Sequence, residues 1–351
     1  MKKTIFLIIA LISFSTFLYL RNSDTEIIPP LPKDSQKDYE IQDYERFVFV
    51  PYWTVSEKLD IEEYDSIIYF GVTFDENGLK TSEDGYKMLS TFLGGVSEEK
   101  KIYLTVRMLS DELNKKILSD GDLQNKVGSA IARVAQEHGF DGVVVDYETS
   151  ALGFMSIEEK ITNMYEVLQG HVKGEGLEFF VTVFGDTFYR GRPYDISKVA
   201  NLSDGVIIMA YDFHKARFNP GPNFPLSGKE IYGYDLKSMI EDFRKDMEQE
   251  KIIVTLGYFG YDWALDENGV NMGIAKSLST NQGISRYMNN CLLDDCEIEK
   301  NLDNEISVQY KDEERVQHEV WFETEESVNK KIEFLHELGI NRIAFWAYSY
   351  F

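Results

Sequence analysis

From Phe47 onward the chain alternates between two textures. Short runs dense in β-branched and aromatic residues give way to longer stretches in which apolar residues recur at helical spacing. The runs occupy 47–53, 66–72, 102–106, 142–147, 179–184, 206–211, 252–258 and 343–348. Several are apolar without interruption, the pattern of strands buried on both faces in a parallel sheet. Between them, Leu123, Val127, Ile131, Val134 and His138 fall on one helical face, and Gly139 supplies the stop. Val328, Ile332, Leu335 and Leu338 repeat that arrangement before Gly339. Eight strands alternating with helices predict an α/β fold, a (β/α)8 TIM barrel. A doubly wound open sheet would need a glycine-rich phosphate turn after an early strand, and none is present.

Two stretches break the alternation. Residues 259–341 are too many for a simple crossover. Within them, 306–310 and 319–322 flank a charged turn and read as a hairpin, so an insertion over the barrel mouth is expected between strands 7 and 8. At the other end, Lys2 and Lys3 precede an apolar run over 4–20, followed by Arg21. That is the layout of an export signal or of a membrane anchor with its lysines inside. The polar stretch 21–46, with Pro29, Pro30 and Pro32, reads as an extended linker. The expected organisation is therefore signal or anchor 1–20, linker 21–46 and barrel 47–351, with the barrel exported to the extracellular space or cell surface.

Cys291 and Cys296 are the two cysteines. In an exported protein they suit a local disulfide, and without nearby histidines they fall short of a metal-ligand set. No metal or cofactor is expected. At 43% hydrophobic over 351 residues the chain can fill a large core. Its formal net charge of −24 repels phosphates and anionic lipid heads. Nucleic acid is not an expected partner, and a membrane enters only through the N-terminal segment. A neutral ligand such as a glycan is compatible, although such a charge also serves solubility alone.

The chemistry concentrates in Asp141–Glu148, Asp-Gly-Val-Val-Val-Asp-Tyr-Glu. A valine run leads into Asp146 and Glu148, two residues apart, which in a strand places both carboxylates on one face. Acids there are costly to desolvate unless paired or used. An isolated Asp-x-Glu in so acidic a chain would be chance; the apolar run before it lowers that weight. Barrel enzymes work at the C-terminal ends of their strands. Here those ends carry Tyr52 and Trp53, then Met209, Tyr211 and Asp212, then the stretch from Tyr258 to Trp263, and finally Trp346 and Tyr348. Any one of these aromatics is as well explained by core packing. Carboxylates among aromatic rings at several strand ends describe a sugar site, since rings stack on pyranose faces while acids transfer protons.

These residues resemble glycoside hydrolase family 18, the chitinase and endo-β-N-acetylglucosaminidase family. The resemblance rests on Asp141–Glu148 as Asp-Gly-x-x-x-Asp-x-Glu, on Met209-x-Tyr211-Asp212 and on Trp346. The run from Gly257 to Trp263 and His318-Glu319-Val320-Trp321 look like bacterial members. The resemblance implies a retaining, substrate-assisted glycosidase acting on β-linked N-acetylglucosamine glycans such as chitin, peptidoglycan or N-glycan cores. Glu148 would be the general acid/base and Asp146 would orient the 2-acetamido group, with Tyr211 donating to it. Trp346, Asp212, Met209, Tyr52 and Trp263 would bind substrate. Two positions depart from the family pattern. Val144 replaces a polar residue, leaving Asp146 against methyl groups, and Thr105-Val106-Arg107-Met108 replaces a Ser-x-Gly-Gly third strand. A non-catalytic glycan-binding protein on the same barrel is the alternative, against which Glu148 speaks.

Overall fold

The computed structural model describes residues 44–351, apart from 57, 98, 150–154 and 290, with backbone alone at 155 and 156. The signal or anchor expected over 1–20, and the linker as far as residue 43, lie outside the described residues. Among the described residues no helix is long and apolar enough to cross a membrane.

Eight parallel strands close into a barrel: β1 (Glu45–Pro51), β2 (Ser66–Asp75), β3 (Lys101–Met108), β4 (Gly142–Tyr147), β5 (Glu178–Phe184), β6 (Gly205–Ala210), β7 (Ile252–Gly257) and β8 (Arg342–Trp346). Each pairs with the next in sequence, and β1 bonds to both β2 and β8, which closes the cylinder. Glu45 and Arg46, expected in the linker, open β1. Helices cross between the strands, including α1 (Gly121–Glu137), α2 (Met155–Gly174), α3 (Leu236–Asp246) and α4 (Glu325–Glu337). The helix stops read from sequence are in place: Gly139 and Gly339 take φ of 71° and 75°, which a side chain would resist. Asp120 and Thr324 cap the starts of α1 and α4 by accepting from Leu123 and Ser327 N–H groups.

Alternation along each strand sorts side chains into two cores. On β4, Val143, Val145 and Tyr147 pack outward under the helices, while Val144 points into the barrel. Its interior neighbours include Phe47, Phe49, Phe70, Tyr103, Phe180, Ile207 and Ile253, all buried. This apolar plug fills the barrel from below. Every side chain that follows Val144 on the same face, Asp146 and then Glu148, therefore emerges above it at the open end.

The long connection between β7 and β8 forms a separate five-stranded antiparallel sheet. Its order is Lys276–Ser279, Phe259–Leu265, Gln317–Phe322, Ile306–Lys311 and Asp294–Lys300. The predicted hairpin is its centre, in register from Ile306 against Phe322 to Lys311 against Gln317. Gly260 lets two strands meet closely, because a Cβ there would lie 1.8 Å from the Trp321 carbonyl oxygen. The Cys291–Cys296 disulfide closes the turn before the last strand and packs against this sheet's own core. The sheet stands beside the barrel mouth, and its edge strand supplies one wall of the cavity below.

Candidate active site

A cavity of about 610 Å³ opens over the C-terminal ends of the barrel strands. Asp146, Glu148, Met209, Tyr211, Asp212 and Trp346 all line it. Six of the eight side chains selected from sequence therefore meet in one place.

Glu148 lies one residue beyond β4, where the backbone is pinned on both sides. Its N–H donates to the Met108 carbonyl at 3.0 Å, and its own carbonyl accepts from Asn114 Nδ2 at 2.6 Å. The same amide donates to Met108, so one buried asparagine ties the ends of β3 and β4 together. With its main chain fixed, the half-buried side chain projects into the cavity. Burial first, and the charge of Asp146 second, push its carboxyl up to about 8, against the pull of Lys215.

Asp146 is 2% exposed. Burial lifts its carboxyl to about 6, while the Thr182 hydroxyl and then the Arg107 guanidinium pull it back. Thr182 Oγ1 donates to Asp146 Oδ1 at 2.6 Å from the neighbouring β5. Arg107 is the register partner of Asp146 on β3, so the two share one face as cross-strand neighbours. The expectation that Val144 strips Asp146 of polar contact is corrected here. The position below is apolar as read, but the hydrogen bond arrives sideways from β5.

Tyr211 and Asp212 follow β6. The Tyr211 ring lies 6.1 Å from that of Trp346 and 5.7 Å from Phe259. Asp212 takes φ of 59°, a conformation Asp tolerates better than most residues. It is held there by Asn223, whose Oδ1 accepts its N–H at 2.8 Å, and Tyr261 donates to its carboxylate at 2.6 Å. Burial raises the Asp212 carboxyl, and Tyr261 opposes the rise. Trp346 closes the barrel side of the cavity, its ring 4.8 Å from Phe70 and 5.5 Å from Phe49.

Two selected residues stand elsewhere. Tyr52 sits in a single turn after β1, edge-on to Trp53 at 5.0 Å and under the Arg107 guanidinium at 5.4 Å. The strand ends at Pro51, so alternation no longer sets direction, and the exposed Trp53 lines the cavity instead. Trp263 is 1% exposed, packed with Leu265 and Ala275. It lies two residues further along its strand than Tyr261, where the segment carrying Ala216 covers it. Tyr261 is the member of that run that reaches the cavity.

Sequence reasoning also missed contributors. Thr182 was a single hydroxyl in the apolar run 179–184, on the same face as Phe180, and that isolation was its signal. Arg107 was noted only as a departure. Ser277, Leu278, Ser279 and Gln282 carried no legible signal, because they reach the cavity through the inserted sheet.

The chain has relatives of known kind. A model of glycosyl hydrolases family 18 matches residues 45–350. A cortical fragment-lytic enzyme of Bacillus anthracis is 27% identical over 247 residues, covering 68% of this chain and 53% of that protein. The chain spans about half the length of the curated relatives it matches. Among solved structures, the Bacillus cereus spore cortex-lytic enzyme SleL is similar at TM-score 0.68 and 20% identity, covering 87% of this chain and 71% of that one. A chitinase of Cycas revoluta, solved in complex with (GlcNAc)3, is similar at TM-score 0.72 and 19% identity, covering 87% and 95%. These structural likenesses bear on the fold, which they share.

Proposed function

This chain belongs to the glycosyl hydrolases of family 18, and from that premise we propose that it cleaves β-linked N-acetylglucosamine glycans with retention, the substrate's own acetamido group acting as nucleophile. That it is a glycosidase follows from the family and its named relatives. The mechanism and the residue roles are the proposal.

Glu148 gives its proton to the glycosidic oxygen as the acetamido carbonyl oxygen attacks the anomeric carbon and the C–O bond breaks. An oxazolinium ion remains. Asp146 accepts the acetamido N–H, fixing the attack angle and offsetting the positive charge. Glu148, now a carboxylate, takes a proton from water as the water opens the ring on the same face, restoring both enzyme and configuration. Tyr211 donates to the acetamido oxygen, and Trp346 forms the floor under the reacting sugar.

The observation that carries this reading is the pairing of Asp146 and Glu148 in one aromatic-walled cavity, with the Glu148 carboxyl raised to about 8. An acid must be protonated before it can donate, and at neutral pH this one is. The alternative, a binding protein without catalysis, drew on Val144; Thr182 supplies the contact that was thought lost, so nothing in the site now favours it. The relatives' names, cortical fragment-lytic and spore cortex-lytic, support a spore or wall glycan as substrate. Action outside the cytoplasm is proposed on the same footing. The basic and apolar start of the chain supports export, as does the Cys291–Cys296 disulfide, a bond that reducing compartments disfavour.

The test is hydrolysis of a fluorogenic N-acetylchitobioside and of purified peptidoglycan, with Glu148→Gln as control. The variant should lose roughly 10²- to 10⁴-fold in kcat, the usual worth of a general acid. Absence of wild-type turnover on every acetamido glycan refutes the proposal, as does equal turnover on glycans lacking the acetamido group.

A further inference from the structure

A second cavity, about 530 Å³, adjoins the first along the edge strand of the inserted sheet. Ser277, Leu278 and Gln282 line both, so the two are one continuous groove with two chambers. The further chamber carries Lys276 and Arg286, both exposed. Among the described residues neither forms an ion pair; the chain's salt bridges lie elsewhere. Arg286 is held over the rings of Tyr287 and Tyr310, at 5.2 and 5.9 Å from their centroids, which limits its freedom before any ligand arrives.

One carboxylate lines the same chamber, and it is occupied. Asp262 is 5% exposed and accepts from His318 Nδ1 at 2.7 Å, Tyr310 at 2.8 Å and Tyr287 at 3.1 Å. It serves the interior of the inserted sheet and does not neutralise the two cations beside it. In a chain with 60 acidic and 36 basic residues, most exposed cations meet an acid. Two that remain unpaired in a groove leading from the catalytic chamber need a partner from outside.

We propose that this chamber is a subsite for a carboxylate carried by the glycan, with Arg286 and Lys276 as its counter-charges and Ser277 and Gln282 bridging to the reacting sugar. The proposal rests on the glycosidase reading of the first chamber and narrows its substrate to acidic acetamido glycans. A guanidinium grips a carboxylate through two parallel hydrogen bonds, and the ammonium adds a point charge. The carboxylate can sit on the sugar itself, as a lactyl ether, or on a peptide attached to it.

The experiment is calorimetric binding, at low salt, to the full chain and to Lys276→Gln/Arg286→Gln. Three tetrasaccharides of alternating N-acetylglucosamine and N-acetylmuramic acid serve as probes. One has free lactyl carboxylates, one has them as methyl esters, and one has them amidated by a short peptide with free carboxylates. Wild type should bind one or both acidic probes at least about tenfold tighter than the ester, the worth of a charge-assisted contact. The double variant should bind all three alike. Preference for the first acidic probe places the charge on the sugar, and for the second on the peptide. Equal affinities in wild type, no binding of any probe, or a preference that survives in the variant overturns the subsite. Hydrolysis of neutral N-acetylglucosamine tetramer should be the same in wild type and variant. If wild type fails to cleave that tetramer while the charge preference holds, the catalytic reading falls and the subsite stands.

Discussion

Asp146 and Glu148 illustrate how much of the chemistry a single strand determines and where neighbours take over. Spacing alone put both on one face, and the apolar plug below Asp146 ensures that both emerge at the mouth. What spacing could not show was the donor to Asp146. Thr182 lies 36 residues away and meets it only through the parallel register of β4 and β5. Thr182→Val would leave a buried carboxylate short of one hydrogen bond, a contact to a charged group worth about 1.5–3 kcal/mol. Turnover should fall by roughly ten- to a hundredfold, and Thr182→Ser should restore it. The companion change Val144→Asp should lower the Tm without raising turnover, because it puts a second carboxylate among Phe49, Phe180 and Ile207. A faster Val144→Asp enzyme would show that β5 does not replace the missing contact. Glu148 yields a second test. Its carboxyl is raised in the folded chain, so the folded state holds its proton to higher pH than the unfolded state does. Stability therefore falls as pH rises from the ordinary glutamate value toward about 8, and the loss is complete above it. Glu148→Gln escapes that loss. It should melt above wild type at pH 8 to 9 and together with it near pH 4, and coincident melting at both values would refute a destabilising Glu148 charge.

At the level of elements, strand existence was legible and strand ends were not. All eight barrel runs are strands, because continuous β-branched and aromatic runs have few other solutions at that length. Tyr52 and Trp263 were misjudged because the first follows a turn and the second belongs to a sheet whose exposed face depends on what covers it. The inserted sheet was foreseen as a hairpin, yet its link to the site was not. That link runs through Lys331 on α4, which is 1% exposed between Glu305 and Glu323, both also buried. Glu305 accepts the Asn223 N–H at 2.9 Å, and Asn223 in turn accepts from the Asp212 N–H. One barrel helix, the inserted sheet and the loop bearing Asp212 are thus joined by a single buried ionic network. Removing the cation strands two carboxylates in the interior. Lys331→Ala should cost about 3–5 kcal/mol in denaturant unfolding and should also raise KM, since the support of Asp212 goes with it. A loss under about 1 kcal/mol, the range of a surface ion pair, would mean the network is hydrated and carries little.

At the scale of the whole molecule, the total charge and the local charge point in opposite directions. A net −24 suggested a neutral ligand, because a sum over residues has no geometry. In the folded chain Arg107 acts on Asp146, Lys215 and Arg192 act on Glu148, and Lys276 and Arg286 line the adjoining chamber. The acidic excess lies elsewhere on the surface, where it repels itself and weakens the compact state. Dissolved salt should separate the two effects. At 0.1 M the screening length is about 10 Å, enough to damp repulsion between exposed carboxylates across the surface. The Tm should therefore rise as sodium chloride is taken from low concentration to physiological strength. The same screening weakens attraction between the groove cations and an acidic glycan before contact. KM for a glycan with free lactyl carboxylates should rise over that range, while KM for neutral N-acetylglucosamine tetramer stays level. Opposite slopes of this kind are specific: a general effect of salt on folding would move both KM values together. Should the two substrates respond alike, the cations around the groove serve only to hold the catalytic carboxylates in place, and the charge of the substrate plays no part in its capture.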